Sequence, residues 1–128
     1  MEQKKIIFPE LSYKIVGATF DVFNKLGWGL NEKEYQKALS LEFKNSGMRF
    51  REQVLIPVTY RGVRLKNFYA DFIVEDKILL ELKVVHKLGY SQAKQVLGYL
   101  KTEGIKLGIL IYFTKEGVKY RRVLNSKA

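Results

Sequence analysis

Three charged residues near the middle of the chain, Asp71, Glu81 and Lys83, have the types and the spacing for metal chemistry. If the chain turns as a hairpin on the three residues 75–77, Asp71 lies directly opposite Glu81, and the Cβ atoms of such neighbours are ~4.5–5.5 Å apart. Two carboxylates at that distance repel each other unless a cation lies between them, and oxygen ligands suit Mg²⁺ or Mn²⁺. The pair therefore predicts a divalent metal site. A two-residue turn would instead place the carboxylates on opposite faces of the sheet.

The strand that carries Glu81 and Lys83 is predicted to be buried. Apolar residues flank the pair at 78–80 and at 84–85, and charged groups occur in buried strands only when they are paired or liganded. Side chains alternate along a strand, so Lys83 shares a face with Glu81. An ammonium group there can position an attacking water and stabilise charge that develops on a phosphate. The alternative is that both are ordinary residues on the solvated face of a half-exposed strand.

Two helices are predicted in the first part of the chain. The first begins at Ser12, a natural N-cap, and ends at Gly27. Its apolar positions fall at helical spacing: Tyr13, Val16, Phe20 and Phe23. The second covers residues 31–45, where Asn31 and Glu34 have the spacing of a capping box.

The rest of the chain contains short runs with the composition of strands. Runs rich in β-branched and aromatic residues at 54–60, 68–74 and 78–85 predict an antiparallel meander, and Pro57 indicates that the first is an edge strand or carries a bulge. A third helix is predicted over 91–102, before a central strand at 107–113 and a last strand at 118–124. The expected fold class is α/β, in the order α-α-β-β-β-α-β-β. The sheet is mixed because the third helix is long enough for a parallel crossover.

Composition excludes several kinds of site and indicates a polyanionic partner. The 128 residues suit one domain, with a core of about 10–124. The absence of cysteine excludes disulfides and thiol nucleophiles, and the single histidine excludes a multi-histidine metal site. Lys and Arg number 23 against 13 Asp and Glu, a net charge of +10 that favours nucleic acid as the partner. A basic surface that only aids solubility is the alternative.

Neither a signal peptide nor a membrane span is expected. The start of the chain lacks a long apolar segment, and no apolar run approaches the ~20 residues that cross a bilayer. The expected location is therefore the cytoplasm.

The arrangement of Asp71, then Glu81-Leu82-Lys83 across a hairpin, then a helix, resembles the PD-(D/E)XK nuclease superfamily. A more specific likeness lies at 29–35, Gly-Leu-Asn-Glu-Lys-Glu-Tyr, which fits the Gly-x-x-Glu-x-x-Tyr motif of the GxxExxY family, a small branch of that superfamily. The likeness continues in order through 51–54, 70–72, 81–83, 95–100 and 108–113. It implies a restriction-endonuclease-like fold, with a mixed β-sheet flanked by helices. The activity that it implies is metal-dependent hydrolysis of phosphodiester bonds in DNA or RNA.

The resemblance also implies the members of the metal site. Asp71, Glu81 and the backbone carbonyl of Leu82 would hold Mg²⁺ or Mn²⁺. Glu32, the glutamate of the 29–35 motif, would complete the site directly or through water, and Lys83 would be the catalytic lysine. A different role for Glu32 is to interact with the N-terminal dipole of the second helix.

Two residues of the third helix match the superfamily as well. Gln95 and Tyr99 correspond to the glutamine and the tyrosine that follow the Glu-x-Lys strand, and at i and i+4 they share one helix face. The resemblance therefore places both with the catalytic residues. Their other interpretations are a polar surface residue for Gln95 and a core residue for Tyr99.

The predicted partner is nucleic acid, with DNA favoured over RNA. The basic residues predicted to contact its phosphates are Arg61, Arg64, Lys66, Lys87 and Lys94. A homodimer is expected by analogy with other small nucleases of this fold, and a protein partner could supply specificity. Two alternatives remain open: a non-catalytic nucleic-acid-binding module that keeps the nuclease fold, and an interaction subunit of a larger complex.

Overall fold

The computed structural model describes residues 7–85 and 92–125, except for the side chains of 92–94. Its elements follow the order α-α-β-β-β-α-β-β, which confirms the prediction. They are α1 (Pro9–Leu26), α2 (Glu32–Asn45), β1 (Phe50–Tyr60), β2 (Val63–Val74), β3 (Ile78–Val84), α3 (Gln92–Glu103), β4 (Leu107–Thr114) and β5 (Gly117–Leu124).

The described strands form one mixed sheet in the order β1-β2-β3-β4-β5. β3 and β4 are parallel and are connected by α3, whereas the other neighbours are antiparallel. β1 is an edge strand, as Pro57 indicated, and all of β4 is buried in the interior of the sheet. Between β2 and β3, Val74 pairs with Ile78 across the turn 75–77, which confirms the predicted register.

The helices cover both faces of the sheet. α1 and α2 pack on one face, where Ile15 and Tyr35 belong to the same apolar cluster as Phe72 of β2. α3 packs on the other face, where Val96 and Leu100 join the cluster. Burying one such side chain contributes about 1.5–3 kcal/mol, so this packing rather than local propensity holds the layers together.

The beginning of α1 differs from the prediction. The helix starts at Pro9 and not at Ser12, because proline suits the first turn, where its missing N–H would have no helical partner. Phe8 takes the N-cap position with a left-handed φ of 50° and no capping side chain. Ser12 is buried in the first turn, and its backbone N–H donates to the Phe8 carbonyl. The predicted cap was therefore wrong.

The buried face of α1 also differs from the predicted one. Tyr13 is 81% exposed and Phe20 is 39% exposed, whereas the smaller Ile15, Ala18 and Val22 are buried. Of the predicted apolar positions, Phe23 does pack against the core, where its ring stacks with Tyr35 and Phe113. The prediction was therefore wrong for Tyr13 and Phe20 and right for Phe23.

β1 and β2 are longer than predicted and form a hairpin that extends past the rest of the sheet. β3 pairs with β2 only at 72–74, so the segment 54–70, called the β1–β2 arm below, has no third strand beside it among the residues that the structure describes. The arm turns on Arg61 and Gly62, whose left-handed φ values of 51° and 79° suit a two-residue hairpin turn. One side of the arm packs on α3, where the rings of Phe68 and Tyr99 stack with centroids 3.5 Å apart.

None of the helices in the described part of the chain is long and apolar enough to cross a membrane.

Candidate active site

Asp71 and Glu81 lie where β2 and β3 separate. Backbone pairing between the two strands ends at Phe72 and Leu80, and side chains replace it beyond that level. The Asp71 N–H donates to Glu81 Oε1 at 2.8 Å, and the Leu82 N–H donates to Asp71 Oδ2 at 2.7 Å. Each carboxylate is thus held by the backbone of the opposite strand. Both are buried, with exposed fractions of 8% for Asp71 and 4% for Glu81.

The alternation of side chains in β2 reverses at Asp71. Ala70 and Phe72 are two residues apart and would share a face in a regular strand. Phe72 instead packs with α1 and α2, whereas Ala70 packs with α3. In β1, Glu52 and Val54 pair with β2 but Gln53 between them does not, and its φ of 49° is left-handed. Its Nε2 donates to Asp71 Oδ1 at 3.4 Å.

Burial raises the pKa of both carboxyl groups. The pKa of Glu81 rises to about 8, chiefly by desolvation and then by the negative charge of Asp71. Burial also raises the pKa of Asp71, although the bond from the Leu82 N–H and the charge of Lys83 oppose the rise. Two buried carboxylates with raised pKa values require a proton or a cation near them, because water does not reach them to stabilise their negative charges.

Lys83 and Glu32 lie close enough to interact with this pair. The positive charge of Lys83, which is half-buried, acts to lower the pKa values of Asp71, Glu81 and Glu32. Burial nevertheless raises the pKa of Glu32, and the charge of Asp71 raises it further. The first turn of α2 therefore brings a third carboxylate towards the end of β3.

The capping box separates the roles of the two acidic residues at the start of α2. Asn31 Oδ1 accepts from the Glu34 N–H, and Glu34 Oε1 accepts from the Asn31 N–H, each at 2.9 Å. Glu34 thus serves the helix terminus, as its spacing predicted. The half-buried Glu32 interacts with Asp71 and Lys83.

Gln95 and Tyr99 lie apart from these contacts. Gln95 is exposed on α3, and Tyr99 is buried against Phe68. Among the residues that the structure describes, no hydrogen bond joins either side chain to Asp71 or Glu81. Their proposed catalytic roles stay predictions.

The predicted phosphate contacts fall into two groups. Arg61, Arg64 and Lys66 are exposed on the β1–β2 arm. Lys87 and the side chain of Lys94 lie outside the described residues.

A family model described as the PD-(D/E)XK nuclease superfamily matches residues 9–123. The chain belongs to that superfamily. The sheet of this PD-(D/E)XK chain, flanked by helices on both faces, is the fold that the resemblance implied. A comparison with curated proteins gives no significant match.

Solved structures agree with the fold of this PD-(D/E)XK chain. An alkaline exonuclease (LHK-Exo) from Laribacter hongkongensis is 12% identical with a TM-score of 0.50, over 91% of this chain and 83% of that chain. The structure of LHK-Exo in complex with dAMP is 14% identical with a TM-score of 0.50, over 86% of this chain and 77% of that chain. At these identities the likeness concerns the fold alone.

PD-(D/E)XK nucleases generally use divalent metal ions. Within the described residues, no three or more His, Cys, Asp or Glu side chains form a ready-made metal site. Asp71 and Glu81 still fit Mg²⁺, because this ion is usually bound by one or two carboxylates and keeps water or substrate phosphate as its other ligands. The two carboxylates therefore fit an ion whose remaining ligands would be water or substrate phosphate.

Tyr35, the tyrosine of the 29–35 motif, is expected to stabilise the fold and not to react. It is fully buried, its hydroxyl donates to the Gly27 carbonyl at 2.6 Å, and its ring stacks on Phe113 with centroids 4.1 Å apart. Tyr35→Phe should lower the free energy of unfolding by about 1–3 kcal/mol, because the carbonyl loses its partner. Urea unfolding measures this loss. A variant with normal stability but no response to Mg²⁺ would contradict the structural role.

Proposed function

We propose that this protein is a metal-dependent nuclease of the GxxExxY branch that hydrolyses phosphodiester bonds in DNA, with Mg²⁺ or Mn²⁺ as its cofactor. The observation that carries the proposal is the buried pair Asp71 and Glu81, held by the backbone of opposite strands beside Lys83. A buried carboxylate pair adds nothing to the core, since burying charge is unfavourable unless a ligand or partner offsets it.

In the proposed mechanism, Asp71, Glu81 and the Leu82 carbonyl would hold the ion, and Glu32 would assist directly or through water. When bound, the ion polarises the scissile phosphate and lowers the pKa of a bound water. Glu81 must be deprotonated to act as a ligand, and burial opposes that step. The Lys83 ammonium orients the attacking water and stabilises the negative charge that grows on the phosphate oxygens.

We propose that the β1–β2 arm binds the nucleic acid beside the site. No acidic residue occurs from 53 to 70, and Arg61, Arg64 and Lys66 are exposed there together with Tyr60 and Tyr69. The arm continues directly from the level of the carboxylate pair. At ~3.3 Å per residue, β2 extends about 25 Å from that level, which would place its cations on phosphates several nucleotides from the cleaved bond.

The remaining expectations are proposals of the same kind. We propose one nuclease domain over 1–128, a cytoplasmic location and a homodimer. A protein partner that supplies specificity, contacts from Lys87 and Lys94, and catalytic roles for Gln95 and Tyr99 also stay proposals.

Cleavage assays test the nuclease activity. The protein is incubated with single-stranded, duplex and branched DNA and RNA, in Mg²⁺, Mn²⁺ or EDTA. Cleavage of DNA with either metal and none in EDTA is expected. If no substrate is cleaved and neither metal raises the melting temperature, the nuclease proposal fails. Salt-dependent binding without cleavage would then favour the non-catalytic binding module.

Removing the cations of the arm should weaken binding and its dependence on salt. Each duplex phosphate contact contributes about 0.9 to the slope of log K against log salt, so R61A/R64A/K66A should lower that slope by up to about 2.7. Fluorescence anisotropy with labelled duplex DNA in EDTA measures both quantities without cleavage.

A matched control carries the same change in net charge outside the arm. K14A/K25A/K115A replaces three exposed lysines of α1 and of the β4–β5 turn. If both triple variants weaken binding equally, overall charge and not the arm attracts the DNA.

A further inference from the structure

We propose that Gln53 is a positioning residue that sets the orientation of the Asp71 carboxylate and thereby strengthens the site's affinity for its divalent ion. The inference rests on the proposed function, because it assumes that Asp71 is a metal ligand. It adds a role that neither the Glu-x-Lys pattern nor the 29–35 motif assigns.

The backbone of Gln53 is the first observation. Its φ of 49° is left-handed, a region that residues with a side chain adopt rarely and that Asn and Asp tolerate best. Such irregularities within strands redirect a side chain and are frequent beside active sites. An unfavourable conformation persists only when its surroundings impose it. Here the irregularity brings Gln53 to the side chain of Asp71.

The hydrogen bonds of the amide are the second observation. Gln53 Nε2 donates to Gln36 Oε1 at 3.1 Å and to Asp71 Oδ1 at 3.4 Å. A side-chain amide has two N–H donors, so both are used. The Asp71 carboxylate determines which way the amide lies, because the flipped amide would direct its oxygen at the carboxylate; Gln36, on α2, accepts the second N–H.

The Asp71 carboxylate is consequently held from two strands. The Leu82 N–H of β3 donates to Oδ2, and Gln53 of β1 donates to Oδ1. Each oxygen keeps a further lone pair for a cation. Groups that orient a metal ligand in this way typically change metal affinity by about 10–100-fold when they are removed.

The surroundings of Gln53 make substitutions informative. Its side chain is exposed and lines a polar cavity of about 480 Å³ together with Lys33, Gln36 and Lys37. Shortening the side chain therefore removes little buried apolar surface and admits water. Asn and Gly also accept a left-handed φ more readily than Gln does. Gln53→Asn and Gln53→Gly should therefore fold at least as stably as the wild type.

The experiment measures the melting temperature of the whole protein without metal and at increasing Mg²⁺. Without metal, Gln53→Asn and Gln53→Gly are expected to melt at or above the wild-type temperature. The Mg²⁺ concentration that gives half of the thermal shift should rise about 10–100-fold in both variants. Gln36→Ala should raise it less, because the amide keeps its bond to Asp71. Asn24→Ala, which removes an exposed amide of α1, is the control and should match the wild type.

The outcomes separate this inference from the nuclease proposal. If wild type and variants respond to Mg²⁺ at the same concentration, Gln53 does not position the ligand, although the nuclease proposal stands. If both Gln53 variants melt lower without metal and keep a wild-type Mg²⁺ response, the residue serves the fold alone. A wild-type protein with neither a Mg²⁺ response nor cleavage would overturn the proposed function, and this inference with it.

Discussion

Asp71→Asn is expected to abolish cleavage and the thermal stabilisation by Mg²⁺ together. The variant keeps the shape of the side chain and an oxygen that can accept from the Leu82 N–H, but it loses the charge that attracts the ion. A bound metal contributes several kcal/mol to the stabilisation of such a transition state. At 1.36 kcal/mol per factor of ten, cleavage should fall by about 10³-fold or more.

Thermal stability distinguishes the loss of a ligand from the loss of the fold. In Mg²⁺ at about 100 times its dissociation constant, the wild type should gain about 2.7 kcal/mol, and Asp71→Asn almost none. Without metal the variant should be at least as stable as the wild type, because the charge of Asp71 raises the pKa of the buried Glu81. A wild-type Mg²⁺ response in Asp71→Asn would contradict the proposed ligand.

Asp76→Asn is the matched control for this substitution. Asp76 lies in the turn between β2 and β3, its side chain is 73% exposed, and it forms an exposed ion pair with Arg51. Exposed pairs contribute about 0–1 kcal/mol. The control should therefore cleave and respond to Mg²⁺ as the wild type does.

The parts of the site that the sequence predicts are those set by local chemistry. A three-residue turn at 75–77 determines the register of the hairpin as far as Phe72 and Leu80, and this brings the next residues, Asp71 and Glu81, to the same level. The capping box depends only on Asn31 and Glu34, so their spacing was sufficient to place the start of α2. Both predictions rest on side chains and backbone within a few residues of each other.

The sequence analysis missed Gln53 because its contact with Asp71 depends on a register shift between β1 and β2 that no residue pattern predicts. Counting back from the two-residue turn, Tyr60 pairs with Val63, and an uninterrupted ladder would set Gln53 opposite Ala70. The register shifts by one residue between Val58 and Thr59, which moves Gln53 to the level of Asp71. Pro57 allowed either an edge strand or a bulge in β1. β1 is the edge strand, whereas the extra residue at the register shift, Leu65, belongs to β2.

Lys83→Ala is expected to stop cleavage while leaving nucleic-acid binding nearly unchanged. Removing one group that stabilises transition-state charge typically costs about 10²–10³-fold in rate. Binding should change little, since Lys83 is one of 23 basic residues and is half-buried beside the carboxylates. Cleavage rates and anisotropy on the same DNA measure the two effects. Lys106→Ala, which removes an exposed lysine, should leave both unchanged.

The pH dependence of Mg²⁺ binding gives a second readout for Lys83. Glu81 binds the ion only when deprotonated, so Mg²⁺ affinity should rise with pH and level off above its pKa of about 8. The charge of Lys83 lowers that pKa, so the rise should move to higher pH in Lys83→Ala. Thermal shifts in Mg²⁺ between pH 6 and pH 9 test this. An unshifted profile would mean that Lys83 does not act on the carboxylates.

Combining the two substitutions shows whether Asp71 and Lys83 act in one step. Residues that act as a unit in catalysis give strongly non-additive losses. If Lys83 acts only when Asp71 holds the ion, the double variant Asp71→Asn/Lys83→Ala should cleave no more slowly than the slower single variant. Losses that multiply in the double variant would mean that the two residues contribute independently, and the shared mechanism would then be wrong.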